Sequence, residues 1–541
     1  MKFSSPPFAT LKWFVISVLN IVTKPMTINP QYSLLLFLCL IVPDIFAFLV
    51  LVDLVPYVVS AVDILLCYII LVPTVLLSSN LLKYYKVLLL IIGLFLLSCN
   101  IYTISLYDRS LNSLSVDMVA AILATNTSEV YEYFITYFRL DKLLYILCGI
   151  SLFLLLFYKL NKIKMQLSLL PKIVLFICVL FSVFVVTTNI NKVRAVNIYK
   201  IICAKKTPDL REYRQKPDIV MKESGVENLV MIIGESFSKS HSSIYGYEKN
   251  TNPLLGKVMS DSTLFVYDKV KSSSTGTISN VIAIMSSYIN EFSDSIDWYR
   301  CLNIIDVMEN AGFKNYWISN QSKRGLADNE IGRYAELCDV EWFVGDIYSG
   351  MARINLDEEL FPYIDSCLSE DIEKKFVVIH LMGSHPAYKV RYPERFSKFN
   401  AENYSCSHPH LPTESRIMLS EYDNSILYND SIVYEIMKRF ENKDAAVVYF
   451  SDHGQDVFDS SDDYAGHAKL GNAKSEEAGR NIPMMVYTSS LFREKHPELQ
   501  ERIENAVNRP YRTDSIMYSI MDIAGVETVN GISYKHKSLF K

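Results

Sequence analysis

Three short apolar runs after residue 227 are each followed by side chains that suit a metal site. The polar segments are Gly234-Glu235-Ser236, Gly383-Ser384-His385 and Ser451-Asp452-His453-Gly454. Carboxylate oxygens and imidazole nitrogens are ligands that suit Zn²⁺, with Mn²⁺ as second choice. Each segment alone also fits a purely structural role, as a turn, a solvent-exposed acid or a structural histidine. Their recurrence after three runs favours a divalent-metal site.

A hydroxyl-rich stretch supplies the candidate nucleophile. Residues 272–277 read Ser-Ser-Ser-Thr-Gly-Thr and precede an apolar helical run, Ile278–Ile289. Hydroxyls at a helix N-terminus lie among free backbone N–H groups and the positive end of the helix dipole, where a phosphate or an alkoxide is stabilised. Ordinary N-capping by serine or threonine explains the same pattern, and spacing alone leaves the two readings equal.

The runs that precede these polar segments predict an α/β domain. Continuous Val, Ile, Phe and Tyr runs are typical of strands buried on both faces of a mainly parallel sheet, and helical segments alternate with them. In such sheets ligands bind beyond the carboxyl ends of the strands. The predicted strands are Asn228–Ile233, Lys314–Ser319, Phe376–Met382, Ala445–Phe450 and Ile482–Thr488.

The first part of the chain differs sharply from this domain. Residues 1–190 hold 12 basic and 8 acidic residues, the rest hold 41 and 50, and all nine histidines follow residue 240. The overall net charge of -5 argues against a nucleic-acid partner. With 50% hydrophobic residues and only 19 glycines and 19 prolines, the chain is neither disordered nor collagen-like. At 541 residues, two or more domains are expected.

Five apolar stretches in residues 1–190 predict a five-helix transmembrane bundle. They are Leu34–Val52, Leu54–Leu77, Val87–Leu106, Leu143–Tyr158 and Ile173–Thr188. With the N-terminus inside, the cytoplasmic pieces carry lysines and no acidic residue, as the positive-inside rule requires. The sequence therefore predicts a transmembrane domain over 1–190, a polar connector over 191–227 and an exported catalytic domain over 228–541.

Some features of the sequence leave alternatives open. Asp44 and Asp63 fall within predicted spans, where they either pair functionally or lie protonated near helix breaks. The loop 113–137 fits a helix lying on the membrane surface or a solvated linker. An oxidising compartment permits disulfides in the exported part, with at least one cysteine of the five left over and the pairing undetermined. These cysteines are Cys203, Cys301, Cys338, Cys367 and Cys406.

Several motifs resemble those of the membrane-bound phosphoethanolamine transferases, a family of the alkaline phosphatase/sulfatase superfamily. The resemblance covers essentially the whole chain, including the five spans. The Cys-x-Pro-Ser-Arg motif of true sulfatases is absent near residues 272–277, which argues against sulfate-ester hydrolysis. The motifs begin with Gly234-Glu235-Ser236, His241, Ser243, Tyr245-Gly246-Tyr247, Thr251 and Pro253, and continue with Tyr316–Gln321, His380–His385, Arg391–Pro393, Tyr422–Tyr428, Ser451–Gln455, His467 and Ile482–Ser489.

The resemblance implies a role for each candidate residue. Glu235, Asp452 and His453 would bind the catalytic zinc together with a nucleophilic threonine. Thr277 fits the family spacing to Ile284-Met285-Ser286 better than Thr275 does, but both stay candidates. The remaining matches, His385 and His467, would contact the substrate phosphate or a second metal.

The resemblance also implies the reaction and its place. The expected reaction moves phosphoethanolamine from phosphatidylethanolamine, through a phospho-threonine, to lipopolysaccharide (core or lipid A) or another surface glycan. Because no cysteine adjoins the threonine, unlike in several lipid A-modifying members, the core or another glycan is the closer match. We expect a monomer in the bacterial inner membrane with its catalytic domain in the periplasm. The alternatives are a glycerol-phosphate transferase of the same superfamily and an inactive membrane-anchored binding protein.

Overall fold

A computed structural model describes residues 208–222, 225–289, 297–323, 330–344, 355–462, 464–468 and 472–541. The five predicted spans, the two intramembrane aspartates, the loop 113–137 and Cys203 lie outside these residues. Within the described part, no helix is both long enough and apolar enough to cross a bilayer. The four cysteines described there have free thiols: Cys301, Cys338, Cys367 and Cys406.

Helices and strands alternate along the described part, as the sequence predicts. The strands are β1 (Ile219–Met221), β2 (Asn228–Gly234), β3 (Leu264–Val266), β4 (Val270–Lys271), β5 (Lys314–Ser319), β6 (Val340–Phe343), β7 (Lys375–His380), β8 (Ala445–Ser451), β9 (Asp456–Val457), β10 (Ala465–Gly466), β11 (Met484–Thr488), β12 (Tyr511–Arg512) and β13 (Val526–Val529). The α-helices are α1 (Pro253–Ser260), α2 (Thr277–Met285), α3 (Ile304–Asn310), α4 (Glu330–Ala335), α5 (Phe361–Ser369), α6 (Thr413–Arg439), α7 (Ala473–Arg480), α8 (Ser490–Lys495), α9 (Pro497–Asn505) and α10 (Ile516–Ile523).

A mixed seven-stranded sheet organises the domain, in the order β3-β11-β8-β2-β7-β5-β6. All five predicted strands lie in it. The strands β8, β2, β7, β5 and β6 are parallel, so the expectation of a mainly parallel sheet holds for them. It is wrong for β11, which is antiparallel to β8 and β3. The reason is that the chain returns from β8 through α7 and enters β11 beside the carboxyl end of β8, with Met484 opposite Phe450.

The sheet is buried on both faces because β2 carries apolar side chains at every position of its interior. Leu229, Met231 and Ile233 pack into one hydrophobic cluster, with α2, α3 and α10. Val230 and Ile232 pack into the other, with the long helix α6. Successive side chains of a strand point to opposite faces, so a continuous apolar run is required of a strand covered on both sides.

Several predicted boundaries differ from the structure, among them the start of the strand expected at Ile482, which begins at Met484. The helix expected over Ile278–Ile289 is α2, which ends at Met285 because Ser286 is extended and bridges to Asn303. The strand expected over Phe376–Met382 ends at His380. Short elements also fall in the predicted connector 191–227, where β1 pairs with β13 near the end of the chain.

Candidate metal centre

The ends of β2 and β8 bring two of the predicted ligand segments side by side. These strands are parallel neighbours, with Gly234 opposite Ser451. The next residues, Glu235 and Asp452, therefore leave the sheet at the same edge. On the other side of β2, β7 ends at His380, opposite Ile233, and leads into the predicted segment Gly383–His385. Strand register alone thus places all three polar segments at one edge.

Glu235, Asp452 and His453 form a buried cluster. One ligand atom from each lies within 4.8 Å of the others. The Nε2 atom of His453 lies 3.4 Å from Glu235 Oε1 and 3.4 Å from Asp452 Oδ2. All three residues are buried. Two carboxylates and an imidazole packed so closely, away from water, are stable only when a cation or protons compensate the negative charge.

The unsatisfied atoms of this cluster fit a divalent cation. Asp452 Oδ1 accepts hydrogen bonds from the backbone N–H groups of Ser236 (3.2 Å) and His453 (2.7 Å). Its other oxygen, Oδ2, is buried and has no hydrogen-bond partner among the described residues. When His453 Nδ1 donates to the carbonyl of Gly454 (2.8 Å), the lone pair of Nε2 points into the cluster. The donor set of two oxygens and one nitrogen suits zinc.

Glu235 is fixed by two neighbours that hold one carboxylate oxygen each. The hydroxyl of Ser236 donates to Oε1 at 2.7 Å. The amide of Gln321, just after β5, donates to Oε2 at 3.1 Å and to the carbonyl of Leu381 at 3.1 Å. Residues that orient a ligand in this way usually matter for metal affinity nearly as much as the ligand itself.

Thr277 brings its hydroxyl to the same cluster. Its Oγ1 lies 3.3 Å from Glu235 Oε2 and 3.2 Å from His453 Nε2. Thr277 is the first residue of α2, so its side chain lies beside the positive end of that helix. The preceding turn is folded by Asn280, which donates to the carbonyls of Ser274 (2.8 Å) and Gly276 (3.1 Å).

Thr275, the competing threonine, uses its backbone instead. Its carbonyl lies 3.2 Å from His467 Nδ1, which leaves Nε2 of that ring unprotonated when Nδ1 donates. Its methyl group lies against α7, where a Cβ added to Gly479 would approach it to 3.0 Å. The structure therefore brings the Thr277 hydroxyl, and not that of Thr275, within hydrogen-bond distance of two of the three candidate ligands, Glu235 and His453.

Both remaining predicted histidines lie near the cluster. The ring of His467 lies against that of His453, with centroids 4.3 Å apart and ring planes tilted by 33°. His385 follows β7. Its backbone carbonyl accepts a hydrogen bond from Nε of Arg391 at 3.0 Å. His385 interacts electrostatically with Glu235 and His467, so it lies near the same site.

Opposing charges shift the pKa values of the cluster. Burial lowers the pKa of His453, but Asp452 and Glu235 outweigh it and raise the pKa to about 9. Burial, with repulsion from Glu235, raises the pKa of Asp452 to about 7. For Glu235, burial opposes ionisation, yet the hydrogen bond and charge of His453 hold its pKa well below the usual value. Burial and the charge of His453 lower the pKa of His467 to about 3, so this ring is neutral.

Residue-by-residue reasoning missed two groups that support the site. Gln321 follows β5 at the same sheet edge, and the strand-end argument would have found it. Asp357 is buried and accepts hydrogen bonds from the backbone N–H groups of Met382 (2.8 Å) and Gly383 (2.9 Å), which holds the turn leading to His385. No local signal marks Asp357, because its partners are about 25 residues away in sequence.

A family model described as sulfatase matches residues 227–526, which is more than half of the chain. The chain belongs to the sulfatase family. Within the family, it is 29% identical over 311 residues to phosphoethanolamine transferase EptC of Escherichia coli, covering 56% of this chain and 52% of the relative. It is 26% identical to phosphoethanolamine transferase CptA of Salmonella typhimurium, covering 55% and 51%. The match spans about half the length of these curated relatives, and the predicted resemblance is confirmed.

Solved structures show the same likeness. A crystal structure of the C-terminal periplasmic domain of Escherichia coli EptC in complex with Zn matches with a TM-score of 0.55 and 27% identity, covering 60% of this chain and 90% of that chain. The integral membrane protein EptA of Neisseria meningitidis, a lipooligosaccharide phosphoethanolamine transferase, matches with a TM-score of 0.66 and 19% identity, covering 94% and 98%. At 19% identity, the match to EptA supports the fold alone.

Proposed function

We propose that this protein transfers phosphoethanolamine from phosphatidylethanolamine to lipopolysaccharide or another surface glycan, through a covalent intermediate on Thr277. The observation that carries the proposal is the position of Thr277 Oγ1, within 3.3 Å of Glu235 and 3.2 Å of His453 at the start of α2. A hydroxyl held against two candidate metal ligands and a helix N-terminus is poised to become a nucleophile. The names of the relatives agree with this chemistry.

Four residues would hold a zinc ion: Glu235, Thr277, Asp452 and His453. The chemistry that zinc supplies when bound is a lowered pKa for the coordinated hydroxyl and neutralisation of charge on the phosphoryl oxygens. The zinc-bound structure of the EptC domain, at 27% identity, supports this choice of metal, and Mn²⁺ is the second choice.

In the first half-reaction, Thr277 Oγ1 forms a bond to the phosphorus of phosphatidylethanolamine and loses its proton. The bond from phosphorus to the glycerol oxygen breaks, and that oxygen takes up a proton as diacylglycerol leaves. Phosphoethanolamine stays esterified to Thr277. The N–H groups of the first turn of α2 stabilise the negative charge on the phosphoryl oxygens.

In the second half-reaction, a hydroxyl or phosphate oxygen of the acceptor attacks the same phosphorus. A new P–O bond forms, the bond to Thr277 breaks, and the threonine hydroxyl is restored. Residues within the segments 322–350 and 388–416 would shape the acceptor pocket. Lipopolysaccharide, either its core or lipid A, or another surface glycan would be the acceptor.

The two remaining histidines would bind the phosphate and move protons. His467 presents an unprotonated Nε2 when its Nδ1 donates to Thr275. An anionic phosphoryl group bound beside this ring opposes the effect of burial and raises its pKa, so that His467 passes a proton between the attacking and leaving oxygens. His385, which follows the end of β7, would also contact the phosphate.

Both substrates are lipid-linked, so the enzyme would work at a membrane surface. We propose that residues 1–190 anchor the chain in the bacterial inner membrane and that residues 228–541 form the catalytic domain in the periplasm. Anchoring confines enzyme and lipids to one plane and raises their encounter rate. We expect the protein to act as a monomer without a nucleic-acid partner.

Mass spectrometry of the intact protein tests the covalent step. Incubation of the full chain in detergent with phosphatidylethanolamine should add the mass of phosphoethanolamine to wild type and to Thr275→Ala, and none to Thr277→Ala. An adduct on Thr277→Ala that disappears in Thr275→Ala would transfer the role of nucleophile to Thr275.

Head-group labels test the donor. Incubation with labelled phosphatidylethanolamine and, separately, phosphatidylglycerol should transfer label only from the first. Transfer from phosphatidylglycerol alone would make the protein a glycerol-phosphate transferase. No transfer from either lipid, together with no tightly bound metal, would make it a binding protein. For the acceptor, surface glycolipids of cells with and without the protein should differ by the mass of phosphoethanolamine.

A further inference from the structure

Glu235 enters the metal centre from a strained turn. The next residue, Ser236, has φ of 57°, a left-handed conformation that non-glycine residues rarely adopt. This conformation turns the backbone sharply at the end of β2, and Ser236 N–H then reaches Asp452 at 3.2 Å. A strained turn persists only where its surroundings hold it. What holds Ser236 therefore also sets the position of Glu235 relative to Asp452.

The hydroxyl of Tyr422 holds this turn from α6. It donates to the carbonyl of Ser236 at 2.8 Å and accepts from the backbone N–H of Ser238 at 2.8 Å. One oxygen atom thus bridges both sides of the turn. Tyr422 is fully buried, so no water replaces the hydroxyl in either bond.

Tyr422 is itself braced by a buried ion pair. The ring of His241 meets that of Tyr422 edge-on, with centroids 5.0 Å apart. His241 Nδ1 lies 2.7 Å from Asp423, the residue after Tyr422, and its Nε2 lies 3.4 Å from Asp459. A carboxylate at each ring nitrogen favours the doubly protonated imidazolium, and despite burial the two acids raise the pKa of His241 to about 10.

This ion pair joins three segments that surround the centre. His241 lies in the loop after β2, Asp423 on α6, and Asp459 in the loop that follows β9. The hydroxyl of Tyr247 also donates to Asp423, at 2.7 Å, and so does that of Tyr404. These contacts hold Asp423 in place and, with it, the neighbouring Tyr422.

We propose that Tyr422 is a positioning residue of the metal centre: its hydroxyl, braced by the His241–Asp423 pair, clamps the Ser236 turn and thereby fixes Glu235 in the ligand geometry. The hydroxyl of Tyr422 bonds to the backbone of Ser236 and Ser238 and not to any of the three ligands, so it acts through the backbone. The inference rests on the metal site of the proposed function. Loss of a group that orients a ligand typically weakens metal affinity by about 10–100-fold, and we expect an effect in this range.

The test removes one oxygen atom. Tyr422→Phe deletes the hydroxyl and keeps the ring. Tyr267→Phe is the matched control, because Tyr267 is also fully buried and its hydroxyl donates to a backbone carbonyl, that of Ile503 at 2.9 Å, in the opposite cluster. Zinc dissociation constants are measured on the full-length proteins in detergent by competition with a chromophoric chelator. Thermal unfolding of the metal-free proteins and the visible spectrum of the Co²⁺-loaded proteins are recorded alongside.

We expect Tyr422→Phe to bind zinc about 10–100-fold more weakly and to change the Co²⁺ spectrum. Tyr267→Phe should change neither, even where both variants unfold at similarly reduced temperatures. His241→Gln, which removes the brace and keeps the hydroxyl, should weaken zinc binding less than Tyr422→Phe does. If Tyr422→Phe yields no folded protein, the zinc affinity of His241→Gln tests the proposal in its place. Unchanged zinc affinity and spectrum in the folded variants would overturn the proposal.

Glu235→Ala separates this proposal from the proposed function. If Glu235→Ala loses zinc and Tyr422→Phe binds it as wild type does, only the clamp is refuted. If Glu235→Ala binds zinc as tightly as wild type, the assigned metal site is wrong, and the clamp proposal is overturned with it.

Discussion

Zinc binding at this centre should release protons, and their number follows from the structure. In the metal-free site the pKa of His453 is about 9 and that of Asp452 about 7. Near pH 7, His453 therefore carries a proton, and Asp452, whose pKa is raised, is partly protonated. A metal ligand must be deprotonated. Zinc uptake near pH 7 should thus release between about one and two protons from these two groups.

The same protons set the pH dependence of the affinity. Because His453 must lose its proton, the dissociation constant for zinc should rise about tenfold for each unit that the pH falls from about 8 to about 7. Below about pH 6 both groups are protonated, and the slope should approach a hundredfold per unit. The direction is fixed, since raised pKa values make protons compete with the metal on the acid side.

Calorimetry measures the proton count directly. Zinc is titrated into the metal-free protein in buffers of different ionisation enthalpy, and the dependence of the observed heat on that enthalpy gives the number of protons released. His453→Gln should reduce the count by about one. His496→Gln is the control, because this buried histidine pairs with Asp444 at 3.1 Å, away from the centre, and should leave the count unchanged.

The count also reports on Thr277. If binding ionises its hydroxyl, wild type should release about one proton more than Thr277→Val does. A count near zero with a pH-independent affinity would refute the assignment of Asp452 and His453 as ligands. A count that changes in His496→Gln and not in His453→Gln would refute it equally.

Two substitutions, one in the turn after β7 and one in a residue that supports this turn, test how the site is held. Gly383→Ala should abolish zinc binding or folding, because φ is 52° there and a Cβ would lie 2.7 Å from the carbonyl oxygen of Glu235; zinc affinity and thermal unfolding measure it, and a wild-type affinity would contradict the close contact. Asp357→Asn should lower the free energy of unfolding by about 1–3 kcal/mol, because one amide oxygen replaces two charged acceptors for Met382 and Gly383. Denaturant unfolding checks this value, and no loss of stability would refute the reasoning.

Strand-end reasoning predicted much of the centre from sequence, for a physical reason. An apolar run long enough to be buried on both faces fixes a central parallel strand, and the residue just after it must leave the sheet at the carboxyl edge. Glu235, Asp452 and His453 are such residues. The direction of β11 was not predictable in this way, because an apolar run reads the same for parallel and antiparallel strands. Its direction depends on the path of the chain through α7.

The groups that support the site from outside could not be predicted from the residues that follow buried strands. His241 and Asp423 are 182 residues apart and meet only because α6 packs over the loop after β2. A lone histidine and an aspartate inside a helical pattern carry no mark of pairing. His241 and the motif Tyr422–Tyr428, which contains Asp423, were noted for their resemblance to a family and not for a physical role. Packing gives them that role.

Sequence spacing left both threonines as candidate nucleophiles, and the geometry of the folded site distinguishes them. Thr275 and Thr277 are two residues apart in a turn rich in hydroxyls, and either could cap a helix. Because α2 begins at Thr277, that side chain sits at the end of the helix and faces the candidate ligands, while Thr275 lies one step back and turns its carbonyl to His467. Each threonine thus serves a different histidine, Thr277 through its hydroxyl and Thr275 through its backbone. Substituting Thr275 by alanine keeps that backbone bond, which is why this variant should still form the covalent adduct.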